Sequence, residues 1–164
     1  MTAYLDNSAT TPVCSEAVEA MKTAVTELWG NPSSLHQKGI EADEMLENAR
    51  SNVARRLFCR DDEVYFTSGG TESNNLAVQG AAHAMHRRGR RIVTTSVEHP
   101  SIDETVKHLE NEGFEVIRLG VDKNGRISER ELFEAVTPDT ILVSIMAVNN
   151  ETGTIQPVEA ARTA

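Results

Sequence analysis

Apolar residues recur along this chain at helical spacing in some stretches and as short unbroken runs in others, and turn-forming residues mark each change. From Ser15 to Trp29, the positions Val18, Met21, Val25 and Leu28 predict an amphipathic helix, stopped by Gly30-Asn31-Pro32. A longer helix is predicted from about His36 to Phe58. It carries Ala42, Met45, Leu46, Ala49, Val53 and Leu57 on one face and charges on the other, and acidic Asp61-Asp62-Glu63 ends it. Val64 to Thr67 then reads as a strand. It is followed by a helix from about Glu72 to His86, a basic Arg87-Arg88-Gly89-Arg90-Arg91 end, and a second strand from Ile92 to Ser96.

Ser101 with Glu104 has the spacing of a capping box for a helix running to about Glu112, where Gly113 suits the left-handed position past the end. A strand from Phe114 to Leu119 follows. Asp122-Lys123-Asn124-Gly125 opens like half a calcium loop, but the remaining ligand positions are wrong, so it reads as a turn. Ser128 with Glu131 repeats the capping pattern, and that helix runs through Val136 and halts at Pro138. Thr140 to Met146 is apolar almost throughout, as expected of a strand covered on both faces. Alternating strands and helices predict the α/β class with a mostly parallel sheet, and place ligand-binding groups on the loops at the C-terminal ends of strands. The last strand would present an unpaired hydrophobic edge unless a partner covers it, which predicts self-association or poor solubility in isolation.

Charge narrows the partners. With 16 basic and 25 acidic residues the formal net charge is −9, which disfavours nucleic acid and anionic membrane surfaces. Neither a charged-then-apolar leader nor an apolar run of membrane-spanning length is present, so a cytoplasmic location is expected. Cys14 and Cys59 are far apart and outside any Cys-x-x-Cys spacing, which predicts reduced thiols. His83 and His86 lie three apart on a predicted helix with no third ligand of suitable spacing, so solvated side chains are expected there and no metal.

Three loops carry chemistry. Ser68-Gly69-Gly70-Thr71 joins a β-type segment to a helix, where unpartnered N–H groups and the helix dipole favour an anion and glycines let an oxygen approach the backbone. Taken alone, a Gly-Gly pair is also an ordinary strand-to-helix turn. Val97-Glu98-His99-Pro100 places an imidazole after the next strand, and Val148-Asn149-Asn150-Glu151 places amides after the last. A loop histidine before proline is by itself an ordinary surface residue, and only its position after a strand makes it a candidate. A phosphate cradle, an imidazole and an amide suit a phosphorylated aromatic cofactor better than a nucleotide. Neither Gly-x-Gly-x-x-Gly nor Gly-x-x-x-x-Gly-Lys occurs. Asn150-Glu151-Thr152 also fits a glycosylation acceptor, which has little weight without a secretory leader.

The ordered set Tyr4-Leu5-Asp6-Asn7-Ser8-Ala9-Thr10-Thr11-Pro12, Gly30-Asn31-Pro32-Ser33-Ser34 with His36, Thr67-Ser68-Gly69-Gly70-Thr71-Glu72-Ser73-Asn74-Asn75, Glu98-His99 and Val148-Asn149-Asn150-Glu151-Thr152-Gly153 resembles the N-terminal portion of the cysteine desulfurases, pyridoxal-phosphate enzymes of the class V aminotransferase superfamily. The resemblance implies a partial large domain of the fold type I transferases, with residues 1–30 as an N-terminal arm and helix and 31–164 as an incomplete cofactor-binding domain. It implies that Gly70 and Thr71 hold the phosphate of pyridoxal 5'-phosphate. His99 would stack on the pyridine ring and move protons. Asn150 would donate to the phenolate oxygen, with Asn149 as the alternative one residue away, and Asn31 would lie near the substrate carboxylate.

For the complete enzyme the resemblance implies conversion of L-cysteine to L-alanine, with sulfur carried as an enzyme persulfide to an iron–sulfur scaffold or other acceptor protein, and a homodimer. Family members are more than twice this long. The Schiff-base lysine, the aspartate beside the pyridinium nitrogen and the persulfide cysteine have no counterpart here, and neither Cys14 nor Cys59 inherits a role. The chain is therefore expected to be inactive alone, as a truncation or with a C-terminal half supplied in trans. Another class V enzyme, such as a selenocysteine lyase or aminotransferase, and a non-catalytic binding or assembly module remain open alternatives.

Overall fold

A computed structural model describes residues 3–164. The chain divides into two compact units, Met1–Phe66 and Thr67–Ala164. In the first, helices α1 (Ser15–Thr26) and α2 (Gln37–Leu57) form where the apolar spacing places them. Between them, the loop is held by close backbone approach. A Cβ on Gly30 would sit 1.9 Å from the Lys38 carbonyl oxygen, and one on Gly39 would sit 2.1 Å from that of Ser34. Only glycine fits at either position. Helix α2 starts at an N-cap His36, whose Nδ1 accepts from the Gly39 N–H, and ends at Phe58 in the left-handed region (φ 56°). Ala42 on its predicted apolar face is buried, as is Ala54 off that face, whereas Val53 and Leu57 are exposed.

The strand expected at Val64–Thr67 does not form. Val64 is extended, with φ −99° and ψ 122°, but joins no ladder. Its carbonyl accepts from the guanidinium of Arg50, which also lies 5.1 Å from the centre of the Phe66 ring. A side chain of α2 takes the place of a neighbouring strand as hydrogen-bond partner, so Val64 is extended without being sheet.

The second unit is a three-layer α/β sandwich. Its strands β1 (Arg91–Thr95), β2 (Glu115–Leu119) and β3 (Thr140–Val143) are all parallel in the order β2-β1-β3. The middle strand feeds both cores. Ile92 packs with Val78 and Ala82 of α3 (Gly70–Met85), with Ile102, Val106 and Leu109 of α4 (Pro100–Asn111), and with Phe114. Its neighbour Val93 faces the opposite layer, with Leu119, Ile127 and Leu132 of α5 (Glu129–Ala135). The alternation of side chains along one strand thus builds two cores at once.

The apolar run after Pro138 is shorter and less covered than its composition suggests. Strand β3 ends at Val143, lies at the edge of the sheet and is half-buried throughout. The covered strand is β1, buried from Ile92 to Thr95, whose Thr94 and Thr95 lower its hydrophobicity. The Asp122 carboxylate accepts from the N–H groups of Asn124 and Arg126 and closes the expected turn, with Gly125 at φ 77°. Gly113, at φ 89°, ends α4 as expected. A short helix, α6 (Val158–Thr163), is an element that periodicity did not reveal. Among the described residues no helix is long and apolar enough to cross a membrane.

Candidate functional site

The candidate phosphate seat lies at the start of α3, which begins at Gly70, two residues earlier than its apolar pattern indicates. Gly69 is the N-cap in an extended conformation, so the N–H groups of Gly70 and Thr71 fall in the first turn and have no intrahelical acceptor. A Cβ on Gly69 or Gly70 would meet no heavy atom within 4 Å, so open space lies directly over these donors. The flanking groups are engaged elsewhere. Glu72 turns back to accept from both the N–H (2.7 Å) and the hydroxyl (2.6 Å) of Ser68, and these bonds hold its carboxyl below the usual carboxylate range. Thr67 and Ser73 share a hydroxyl–hydroxyl bond of 2.6 Å. What remains free is a backbone cradle with an exposed Thr71 hydroxyl beside it, a donor set that fits the phosphate of pyridoxal phosphate.

His99 is the N-cap of α4, with Pro100 at the first helical position. The capping box expected from Ser101 and Glu104 does not form, because the imidazole occupies the cap. Nδ1 of His99 accepts from the Ser101 N–H at 3.1 Å. Thr71 and His99 line one open cleft between α3 and α4, together with Asn75 and Ser101. The two helices are also joined across 27 positions of sequence by a bond from the Asn74 amide to the Ser101 hydroxyl, at 2.7 Å. A second open hollow, beside Leu57 and Phe58 at the end of α2, contains none of the candidate residues.

The third loop is tied to the second. Glu98 accepts at one carboxylate oxygen from the Met146 N–H (2.8 Å) and from the Thr95 hydroxyl (3.0 Å). Burial pushes its carboxyl above the ordinary range, with those two bonds opposing the shift. Asn149 donates to the Val97 carbonyl at 3.1 Å, while its own oxygen accepts from the N–H groups of Glu151 and Thr152 and from the Thr152 hydroxyl. Its side chain is buried and spent on holding the loop. Asn150 is exposed, and among the described residues its amide nitrogen makes only a neighbouring contact with Glu151 at 2.9 Å. Of the two asparagines, only Asn150 has an amide free for a ligand.

Asn31 belongs to the first unit, where its oxygen accepts from the Ser33 N–H at 3.0 Å in a local Asx turn. His83 and His86 do not face a common point. The ring of His83 pairs with Glu112 at 2.7 Å, and that of His86 bonds the His83 carbonyl. The holding roles of Glu98, Ser101 and Asn149 were not evident from the sequence, although Glu98 and Asn149 adjoin the two candidates.

Residues 3–164 match the family model described as aminotransferase class-V. A NifS/IcsS protein homolog of Lactobacillus delbrueckii subsp. bulgaricus is 54% identical over 156 residues, 95% of this chain and 40% of the relative. The cysteine desulfurase IscS of Methanosarcina thermophila is 50% identical over 95% of this chain and 39% of its own length. A solved NifS-like protein superposes with a TM-score of 0.91 at 45% identity, covering 99% of this chain and 45% of that one. The chain thus spans about 40% of the length of the curated relatives it matches. With the family model matched from residue 3 to residue 164, this chain belongs to the class V aminotransferases.

Proposed function

We propose that these 164 residues supply the phosphate cradle and the ring-facing histidine of a pyridoxal-phosphate-dependent cysteine desulfurase acting on L-cysteine. The observation that carries this reading is the open first turn of α3, whose free N–H groups and Thr71 hydroxyl adjoin a cleft shared with His99. A dianionic phosphate suits that end of a helix, and an imidazole suits an aromatic ring. The names of the relatives favour cysteine as substrate over the other class V reactions.

In this reading Gly70 and Thr71 bind the phosphate through backbone N–H groups and a hydroxyl. His99 presents its ring to the cofactor and holds a proton at Nε2. The Asn150 amide donates to an anionic oxygen, while Asn149 and Glu98 keep that loop against the His99 loop. Asn31 contacts the substrate carboxylate. The cofactor supplies an electron sink when bound. The lysine that anchors it covalently and the cysteine that receives sulfur are assigned to residues outside these 164, so this chain alone is proposed to be inactive. A complementary segment and a homodimer complete the enzyme in this proposal, and an iron–sulfur scaffold or another sulfur-acceptor protein takes its product.

Titration with pyridoxal phosphate, followed by absorbance, tests the cradle. Thr71→Ala removes one hydroxyl donor to a charged oxygen, worth about 1.5–3 kcal/mol, so Kd should rise roughly tenfold to hundredfold. Unchanged affinity in Thr71→Ala would remove this seat from the proposal.

A further inference from the structure

The imidazole of His99 sits at the end of a hydrogen-bond chain whose direction can be read from one bond. The backbone N–H of Ser101 can only donate, and it points at Nδ1 of His99 from 3.1 Å. Nδ1 is therefore an acceptor, and the neutral ring carries its proton on Nε2. The Ser101 hydroxyl lies 2.8 Å from the same Nδ1, so it donates there as well. Its oxygen is then left to accept, and the amide of Asn74 supplies the hydrogen at 2.7 Å. Ser101 is only 8% exposed, so water does not readily substitute for either partner.

We propose that Asn74 and Ser101 are positioning residues for His99, forming a one-way donor relay from α3 to α4 that presents Nε2–H as the free polar edge of the ring. Each bond in such a chain polarises the next in the same sense. The relay also links the helix that bears the phosphate cradle to the residue that faces the ring, so cradle and imidazole are held in a single frame. Its chemical consequence is selective. Where His99 meets a ligand edge-on, the ligand atom must accept a hydrogen bond, as a carboxylate, carbonyl or phenolate oxygen does, whereas an ammonium group finds no acceptor there. The purpose assigned to the relay rests on the cofactor reading, but its direction does not.

The test is NMR of the intact protein labelled with ¹⁵N-histidine, without pyridoxal phosphate and at a pH where the ring is neutral, with His99→Gln used to assign the signal. In the wild type the proton should reside on Nε2. Asn74→Asp replaces a donor with a group that only accepts, which draws the Ser101 hydroxyl away from Nδ1. The tautomer ratio should then move toward Nδ1–H by about fivefold, the equivalent of one ordinary hydrogen bond. Asn74→Ala removes the first donor without supplying an acceptor, so the Ser101 hydroxyl still donates to Nδ1 but unpolarised, and the Nε2 preference should weaken by less than in Asn74→Asp. A proton on Nδ1 in the wild type, an unaltered Asn74→Asp spectrum, or equal changes in the two variants would overturn the proposal. Thermal melts by circular dichroism check folding. If Asn74→Asp does not fold, Ser101→Ala takes its place, with a weakened Nε2 preference expected and an unchanged one overturning the relay. Cofactor affinity is measured separately through Thr71, so failure of the relay and failure of the cradle are distinguishable.

Discussion

Glu98 shows how a single carboxylate can hold two loops while costing stability in its charged form. One oxygen serves both the Met146 N–H and the Thr95 hydroxyl, so removing the side chain leaves two polar groups without a partner. Glu98→Ala should therefore destabilise the second unit by about 1–3 kcal/mol. The sign of the pH effect is opposite to that of a paired surface carboxylate. Burial raises the Glu98 carboxyl above its ordinary range. The folded state thus binds the proton more tightly than the unfolded one, and this contribution falls as pH rises from about the unfolded value through the raised folded value. Glu98→Gln keeps an oxygen acceptor in place and removes the charge, so its urea midpoint should lack that downward step while staying closer than Glu98→Ala to the wild type at neutral pH. A wild-type step that survives in Glu98→Gln would assign it to another group.

Among the elements, the end of α2 is the least economical. A left-handed residue past a helix is usually glycine, and here it is Phe58, at φ 56° and 97% exposed. The side chain loses little water on folding, so the backbone cost is not offset by burial. Phe58→Gly should raise the stability of the first unit by roughly 1 kcal/mol in chemical denaturation. With no glycine there, the end of the helix is marked in the sequence only by the acidic Asp61-Asp62-Glu63 that follows Phe58. Helix α4 differs in the same sense at its start. Ser101 has the residue type and spacing of a cap, yet the cap is His99, because Pro100 fits the first helical position and moves the boundary forward by two residues.

At the scale of the molecule, the second unit depends on the middle strand having a layer on each face. Leu109 is fully buried against Ile92 and its neighbours in the α3–α4 core. Leu109→Ala should cost about 2–5 kcal/mol in equilibrium unfolding of that unit, whereas Leu76→Ala, exposed on α3, should cost far less. Equal effects would mean that the core boundary lies elsewhere. The edge position of β3, half-buried with β1 on one side, is the feature on which the expected self-association turns. The formal charge of −9 opposes such association at low salt.

The sequence by itself determined the alternation of helices and strands, the turn at Asp122–Gly125, the Gly-Gly helix start proposed as the anion seat, and the ordered motifs that mark the family. Each of these depends on a few adjacent residues, through periodicity, left-handed glycines or unpaired N–H groups. Only the tertiary structure decided that Val64–Thr67 joins no sheet and that β1 is the covered strand. Tertiary contacts also divided the labour between Asn149 and Asn150 and gave Ser101 to His99 and Asn74. These outcomes depend on partners 14 to 52 residues away, as in Arg50 with Val64 and Asn149 with Val97. A hydrogen-bonding group in the sequence states what it can donate or accept, and folding selects which distant group it meets.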